Sequence, residues 1–241
     1  MAGERRSRIL TQLLAGGEME LETARLCTMC AEVTGMSGAG IMLMSGDIAR
    51  GSLCSTNSVS ALVEELQFSL GEGPCVDAYK DDRAVLEPDL ADPHTGRWLA
   101  FTGPAVAAGV RAIFGFPLQV GAVRLGALNL YRDSPGSLTD EQHADALVAA
   151  DIAAQAILVL QAKAPPGMLA KELEAVADFR YVVHQASGMV AAQLDISVVQ
   201  ALIRLKSHAF GNDLSLDAVA KDVVSRQLRF DATTDGSDSR G

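Results

Sequence analysis

Apolar residues along this chain recur at two periods, and each change of period marks an element. Over residues 9–33 they fall at helical spacing (Leu10, Leu13, Leu14, Leu21, Ala24, Leu26, Cys27, Cys30, Ala31), interrupted by Gly16 and Gly17, which predicts a helix pair or one kinked helix. Residues 39–45 and 48–55 are short apolar runs parted by Gly46 and Asp47, the pattern of a hairpin. Residues 58–67 carry a helical face behind hydroxyl caps and stop before Gly71-Glu72-Gly73-Pro74. A short helix near 75–80, a strand at 83–86 and a helix near 96–108 follow. The runs 110–118 and 125–131 read as strands, and the short link at 120–124 makes their pairing antiparallel. Ser137, Thr139, Asp140 and Glu141 then supply caps and first-turn acids for a long helix to about Gln161.

Pro165-Pro166-Gly167 breaks the helical pattern, because neither proline donates an amide and each disfavours helix before it. Beyond the break, Leu169, Leu173, Val176, Val183, Met189 and Val190 form an apolar stripe long enough for a dimer seam and a bundle core. Ser197 and Gln200 have capping-box spacing for a helix ending at Gly211, and Ser215 caps a last helix over 216–228. The expected fold is therefore α+β over residues 1–162, an antiparallel sheet with flanking helices, then an all-α three-helix module over 163–230 and a disordered acidic tail over 231–241.

Composition narrows the function. The chain has 241 residues, 49% of them hydrophobic, with 20 Lys and Arg against 30 Asp and Glu and a net charge of −10. That balance argues against coating nucleic acid or an anionic membrane through the overall field. The acidity is uneven: residues 1–162 hold 11 basic against 20 acidic side chains, whereas 163–230 hold 8 against 7. No uncharged stretch approaches the roughly eighteen apolar residues of a membrane helix, and the basic start at residues 1–8 lacks a leader's apolar core. The expected location is the cytoplasm, with four reduced cysteines. Cys27 and Cys30 have metal-motif spacing but no second pair, so they read as buried thiols and no metal is expected.

A family resemblance rests on Leu66-Gln67-Phe68, Gly71-Glu72-Gly73-Pro74-Cys75, Asp89-Leu90, Arg97-Trp98, Phe101, Pro117-Leu118 and residues 125–131 (LGALNLY). In that order they resemble the GAF domain of bacterial GAF-ANTAR regulators. Arg180, Gln185-Ala186, Gly188-Met189, Ala201, Leu205, Ala209, Ser215-Leu216, Val219-Ala220 and Val223-Val224 resemble the ANTAR domain, a three-helix RNA-binding module. Ser187 stands where that pattern has lysine. The resemblance implies a homodimeric transcription antiterminator that holds leader RNA in paired stem-loops against a terminator hairpin, under control of a sensor that takes an unknown small-molecule or protein signal. It implies no enzyme activity, no cofactor and no membrane.

Recognition of RNA needs cations for phosphates and polar or planar groups for unstacked bases. Arg180, His184, Gln185, Ser187, Gly188, Lys206, Lys221 and Arg226 are the candidate RNA-binding residues. Cys75, Trp98, Phe101, Phe114 and Phe116 are candidates for a ligand pocket between sheet and helices. Two other readings remain at this point. The last two helices could form a DNA-binding helix-turn-helix. Alternatively, Cys75, at a helix N-terminus that would lower its pKa, could serve a GAF-type thiol reductase.

Overall fold

The computed structural model describes residues 2–14, 23–45, 48–92, 96–163, 171–212 and 214–230, with backbone alone at 2, 14, 45, 48–50, 171–181 and 199. Its contacts divide the chain into two compact units, Met1–Val176 and Ala177–Gly241. Pro165-Pro166-Gly167, the Gly46-Asp47 turn and the tail from residue 231 lie outside the described residues.

The first unit contains α1 (Ala2–Leu14), α2 (Thr23–Thr34), β1 (Gly38–Ser45), β2 (Ile48–Ser55), α3 (Ser58–Leu70), α4 (Pro74–Asp81), β3 (Val85–Glu87), α5 (Leu99–Ala107), β4 (Ala112–Val120), β5 (Val123–Arg132) and α6 (Asp140–Ala162). The strands form one antiparallel sheet in the order β2-β1-β5-β4-β3. Strands β4 and β5 are buried along most of their length rather than at alternate residues, as strands covered on both faces must be. On one face Ile41, Phe114, Phe116, Leu118, Leu128 and Leu130 join a core with α2 and α6. On the other, α3 and α4 lie against the sheet. The seat of α4 is tight: a Cβ at Gly115 would stand 2.4 Å from the carbonyl oxygen of Pro74.

Helix α6 explains its own composition. Among the described residues it alone is long and apolar enough to cross a membrane, yet half of that apolar stretch is buried within the protein. Ala146, Ala149, Ile152, Ala153 and Ile157 belong to the core. A capping box at Thr139 and Gln142 starts the helix as expected, and its buried Asp145 accepts from Arg8 at 2.7 Å and from Arg5, both on α1. The start of α3 differs from expectation, because the residue that caps it is Asn57, whose side chain accepts from the Ser60 amide.

The cysteines also differ. Cys27 of α2 and Cys54 of β2 form a disulfide, while Cys30 and Cys75 stay free and buried. Burial without an ionic partner pushes the Cys30 thiol up to about 12, so the helical Cys27-x-x-Cys30 spacing serves packing at one position and cross-linking at the other.

In the second unit, α7 (Lys171–Leu194, whose first turns belong to the first unit), α8 (Val198–Gly211) and α9 (Leu216–Val224) pack through Val183, Ala186, Val190, Ala201, Leu205, Ala209, Leu216, Val219, Ala220 and Val223. Ser197 and Ser215 cap α8 and α9 as the sequence predicts. Helix α9 ends at Val224, short of the expected 228, because Arg226 turns left-handed (φ 64°).

Closing a loop between residues 27 apart in sequence should contribute about 2–4 kcal/mol. Cys54→Ser, or reductant on the native chain, should lower the melting temperature accordingly; a calorimetric trace that ignores reductant would show that the bond does not form in solution.

Candidate functional site

The Gly71-Glu72-Gly73-Pro74-Cys75 segment ties three helices together. Gly71 ends α3 in the left-handed region (φ 68°), which suits glycine. Gly73 (φ 130°) also makes room, since a Cβ there would stand 2.6 Å from the Gln67 side chain. Pro74 fills the first position of α4, where its missing amide costs nothing. Gln67 reaches from α3 to accept the Cys75 amide at 2.7 Å, and Glu72 accepts the Ala100 and Phe101 amides at 2.7 and 2.9 Å at the start of α5. Orphan amides at two helix starts are thus met by side chains of the preceding segment.

Beneath this knot lies a buried polar pair. Glu64 of α3 is 1% exposed, and Asn129 of β5 is 3% exposed. The Asn129 amide donates to Glu64 Oε1 at 2.7 Å. Among the described residues, Glu64 Oε2 and Asn129 Oδ1 have no hydrogen-bond partner. Gly40 of β1 leaves the space, because a Cβ there would stand 2.5 Å from Glu64 Oε1. Burial pushes the Glu64 carboxyl up to about 8, against a smaller opposite effect of the Asn129 hydrogen bond. At neutral pH the acid is therefore largely protonated. Protonation turns Oε2 from an orphan acceptor into a donor, and Asn129 Oδ1 is the orphan acceptor on the side chain that Glu64 already contacts.

The five predicted pocket residues do not line one cavity. Trp98 and Phe101 meet edge to face at 6.0 Å at the start of α5, and the Trp98 indole donates to Asp77 of α4 at 3.0 Å. Phe114 and Phe116 lie on the opposite sheet face, with Phe116 against His143 of α6 at 5.8 Å. A strand whose two faces are both apolar gives no sequence signal for which face an aromatic residue takes. Cys75 is at the N-terminus of α4 as expected, but its thiol is raised well above the ordinary value, by burial first and then by the nearby Glu64. Desolvation thus outweighs the helix terminus and opposes the thiolate that the reductase reading would need.

In the second unit the RNA candidates also separate. His184, Gln185 and Gly188 are exposed on α7. Nothing lies within 4 Å of a Cβ placed on Gly188, so packing does not require that glycine. Ser187 is 1% exposed and donates its hydroxyl to the Val183 carbonyl at 2.7 Å, which removes it from any RNA face. Lys206 is half-buried, with its ammonium pKa lowered by burial, and Lys221 is held by Asp217 at 2.5 Å. Arg226 is exposed. Arg180 lies on α7 within the stretch described by backbone alone.

Comparison with known proteins bears on the first unit. A family model described as a GAF domain matches residues 22–158, more than half of the chain. The chain belongs to the GAF domain family. Its fold is similar to the GAF domain of a phosphoenolpyruvate-protein phosphotransferase from Coxiella burnetii (TM-score 0.51, 15% identity, covering 67% of this chain and 95% of that one). It is also similar to the GAF domain of the Acinetobacter phosphoenolpyruvate-protein phosphotransferase (TM-score 0.50, 13% identity, 67% and 96%). No curated protein matches the chain. A GAF domain is a signal-sensing domain, and the expected sheet with flanking helices is the one observed.

Within this GAF domain, Glu64 and Asn129 are the residues that sequence reasoning missed. Glu64 reads as part of the polar side of a helix, next to Glu65, and only Gly40 hints that the sheet yields space to something large. Between 4.5, the ordinary value, and about 8, the folded GAF domain holds a proton that the unfolded chain has released. Stability is then fully present below the lower value and falls by up to about 1.4 kcal/mol per pH unit as pH rises toward the upper one. Glu64→Gln, whose amide can both accept from and donate to Asn129, should flatten this slope and raise the melting temperature at pH 8. An unchanged pH dependence of unfolding would mean that Glu64 is not the group responsible.

Proposed function

We propose that the chain is a signal-responsive RNA-binding regulator, a transcription antiterminator whose GAF domain receives a signal and whose C-terminal helical unit holds stem-loops in leader RNA against terminator formation. What supports this reading is the agreement between the second unit's core and the residues of the ANTAR resemblance: Ala186, Ala201, Leu205, Ala209, Leu216, Val219, Ala220 and Val223 are all buried. His184, Gln185 and Gly188, by contrast, stay exposed on α7. With Ser187 buried and Lys221 ion-paired, the cations open to phosphate reduce mainly to arginines, so shape rather than bulk charge would carry recognition. The protein acts as a homodimer in this reading. Ile203 and Phe210, seven residues apart on one face of α8, are 57% and 46% exposed and give a second copy an apolar surface to cover. The site of action is the cytoplasm, where a reducing poise would leave the Cys27–Cys54 bond open to reduction. The buried Cys75 gives the thiol-reductase reading little support, and the short α9 offers few positions to read duplex DNA.

The full chain should bind a tandem stem-loop RNA in preference to a scrambled RNA and to duplex DNA, with affinity falling as salt rises. Equal binding to all three at low salt would sink the proposal. Gly188→Ala should add about 1 kcal/mol of helix stability, because glycine is a poor helix former, and should weaken RNA binding by placing a methyl group where the backbone of the RNA approaches. Both effects are read from a thermal melt and a binding isotherm on the same variant.

A further inference from the structure

The second unit contains a cleft of about 280 Å³ lined by Met189, Gln193, Arg226, Leu228 and Arg229. We propose that this cleft takes one unstacked nucleobase of the bound RNA together with its flanking phosphate. The inference rests on the RNA-binding reading above and extends it to a site.

The chemistry of the lining is one-sided. Among the described residues no Asp or Glu contributes to it, and neither guanidinium is ion-paired with a carboxylate. Gln193 Oε1 already accepts the Phe230 amide at 2.9 Å, which leaves the Gln193 amino group to donate. The polar groups on offer are thus mostly donors, suited to phosphate oxygens and to the acceptor edges of a base. The walls of Met189 and Leu228 are apolar, and a guanidinium plane stacks on a flat ring as readily as it pairs with phosphate. The volume lies just under the roughly 300–1,000 Å³ range of ligand pockets, which fits one base rather than a stack.

Placement adds to this. Gln185, Met189 and Gln193 recur every fourth residue on α7, so the cleft continues the exposed face that carries Gln185 beside His184 and Gly188. The backbone at Arg226 is the second observation. The Arg226 amide donates to the Val223 carbonyl at 3.0 Å and the Gln227 amide to the Asp222 carbonyl at 2.8 Å, which makes Arg226 the left-handed residue of a helix-ending motif that favours glycine. Folding alone would be better served by glycine at that position. A long, exposed cation kept in a left-handed conformation in the lining of a cleft points to a contact outside the chain. The returning segment is held in place by Phe230, whose ring meets His208 edge to face at 5.2 Å.

The test couples protein and RNA changes. The full chain is titrated with a tandem stem-loop RNA with small loops, and with the same RNA carrying an abasic residue at each loop position in turn. For the unaltered protein, one abasic position should weaken binding about tenfold or more, the size of a single base-stacking contact. Arg226→Gly and Arg229→Gln should each weaken binding of the intact RNA, and in both that abasic position should become nearly silent. Arg226→Gly should do so while its melting temperature holds or rises, which separates lost contact from lost fold. If the unaltered protein binds the stem-loops but the variants keep the same abasic profile, the cleft is not the base site and the RNA reading stands. If the unaltered protein binds no stem-loop RNA, both fall.

Discussion

A sheet buried on both faces must satisfy every polar group inside it, and this constraint organises the GAF domain. Strands β1, β4 and β5 have helices above and below, so no water reaches their centre to solvate a side chain. Yet Asn129 sits in the middle of β5 and takes Glu64 of α3 as its partner. The two can meet because Gly40 has no side chain, and α4 can lie flat on the next strand because Gly115 has none. Two glycines that flank Asn129 from the strands on either side therefore do different work: one admits a carboxyl group, the other admits a helix backbone. With the carboxyl kept largely neutral by burial, the pair is a hydrogen-bonded unit of low charge rather than an ion in a hydrophobic layer.

That pair also fixes what Cys75 can do. The thiol lies near Glu64 and under the Gly71-to-Pro74 turn, fully buried, and both its burial and the carboxyl oppose a thiolate. A helix N-terminus offers about half a positive charge, which is worth little to a group that has lost all its water. The motif residues that look chemically provocative in sequence are used structurally here: Gln67 and Glu72 satisfy helix-start amides, and the glycines allow the close turns between them.

Local physics made much of the fold legible in the sequence. The strands 110–118 and 125–131 announced themselves as apolar runs with a short link, and the caps at Thr139, Ser197 and Ser215 need only three residues of context to be recognised. What was illegible depends on distant partners. Cys54 gives no sign that it bonds Cys27, because nothing in either segment encodes their approach. Phe114 and Phe116 alternate correctly with their neighbours, but the sequence cannot say which face of a doubly covered strand is which. Glu64 looks like a solvated helix charge until Asn129 and Gly40 are placed beside it. The four aromatics that the sequence groups into one wall are therefore divided between the α5 side and the α2–α6 core.

The same distinction governs the second unit. Its core residues follow helical periodicity and were readable, whereas the identity of its accessible cations was not. Periodicity alone gave Ser187, Lys206 and Lys221 equal standing with Arg226. Local hydrogen bonding removes the first, burial constrains the second and an acid four residues away neutralises the third. Arg226 survives because it terminates α9 in a conformation that no residue-type pattern predicts, there being no glycine between Val224 and Leu228 to mark the turn. A module with so little net charge cannot rely on field strength for nucleic acid. Under the RNA-binding proposal, affinity would come from a few exposed cations fixed in place, and Arg226, exposed on a left-handed backbone just past the end of α9, is one of them.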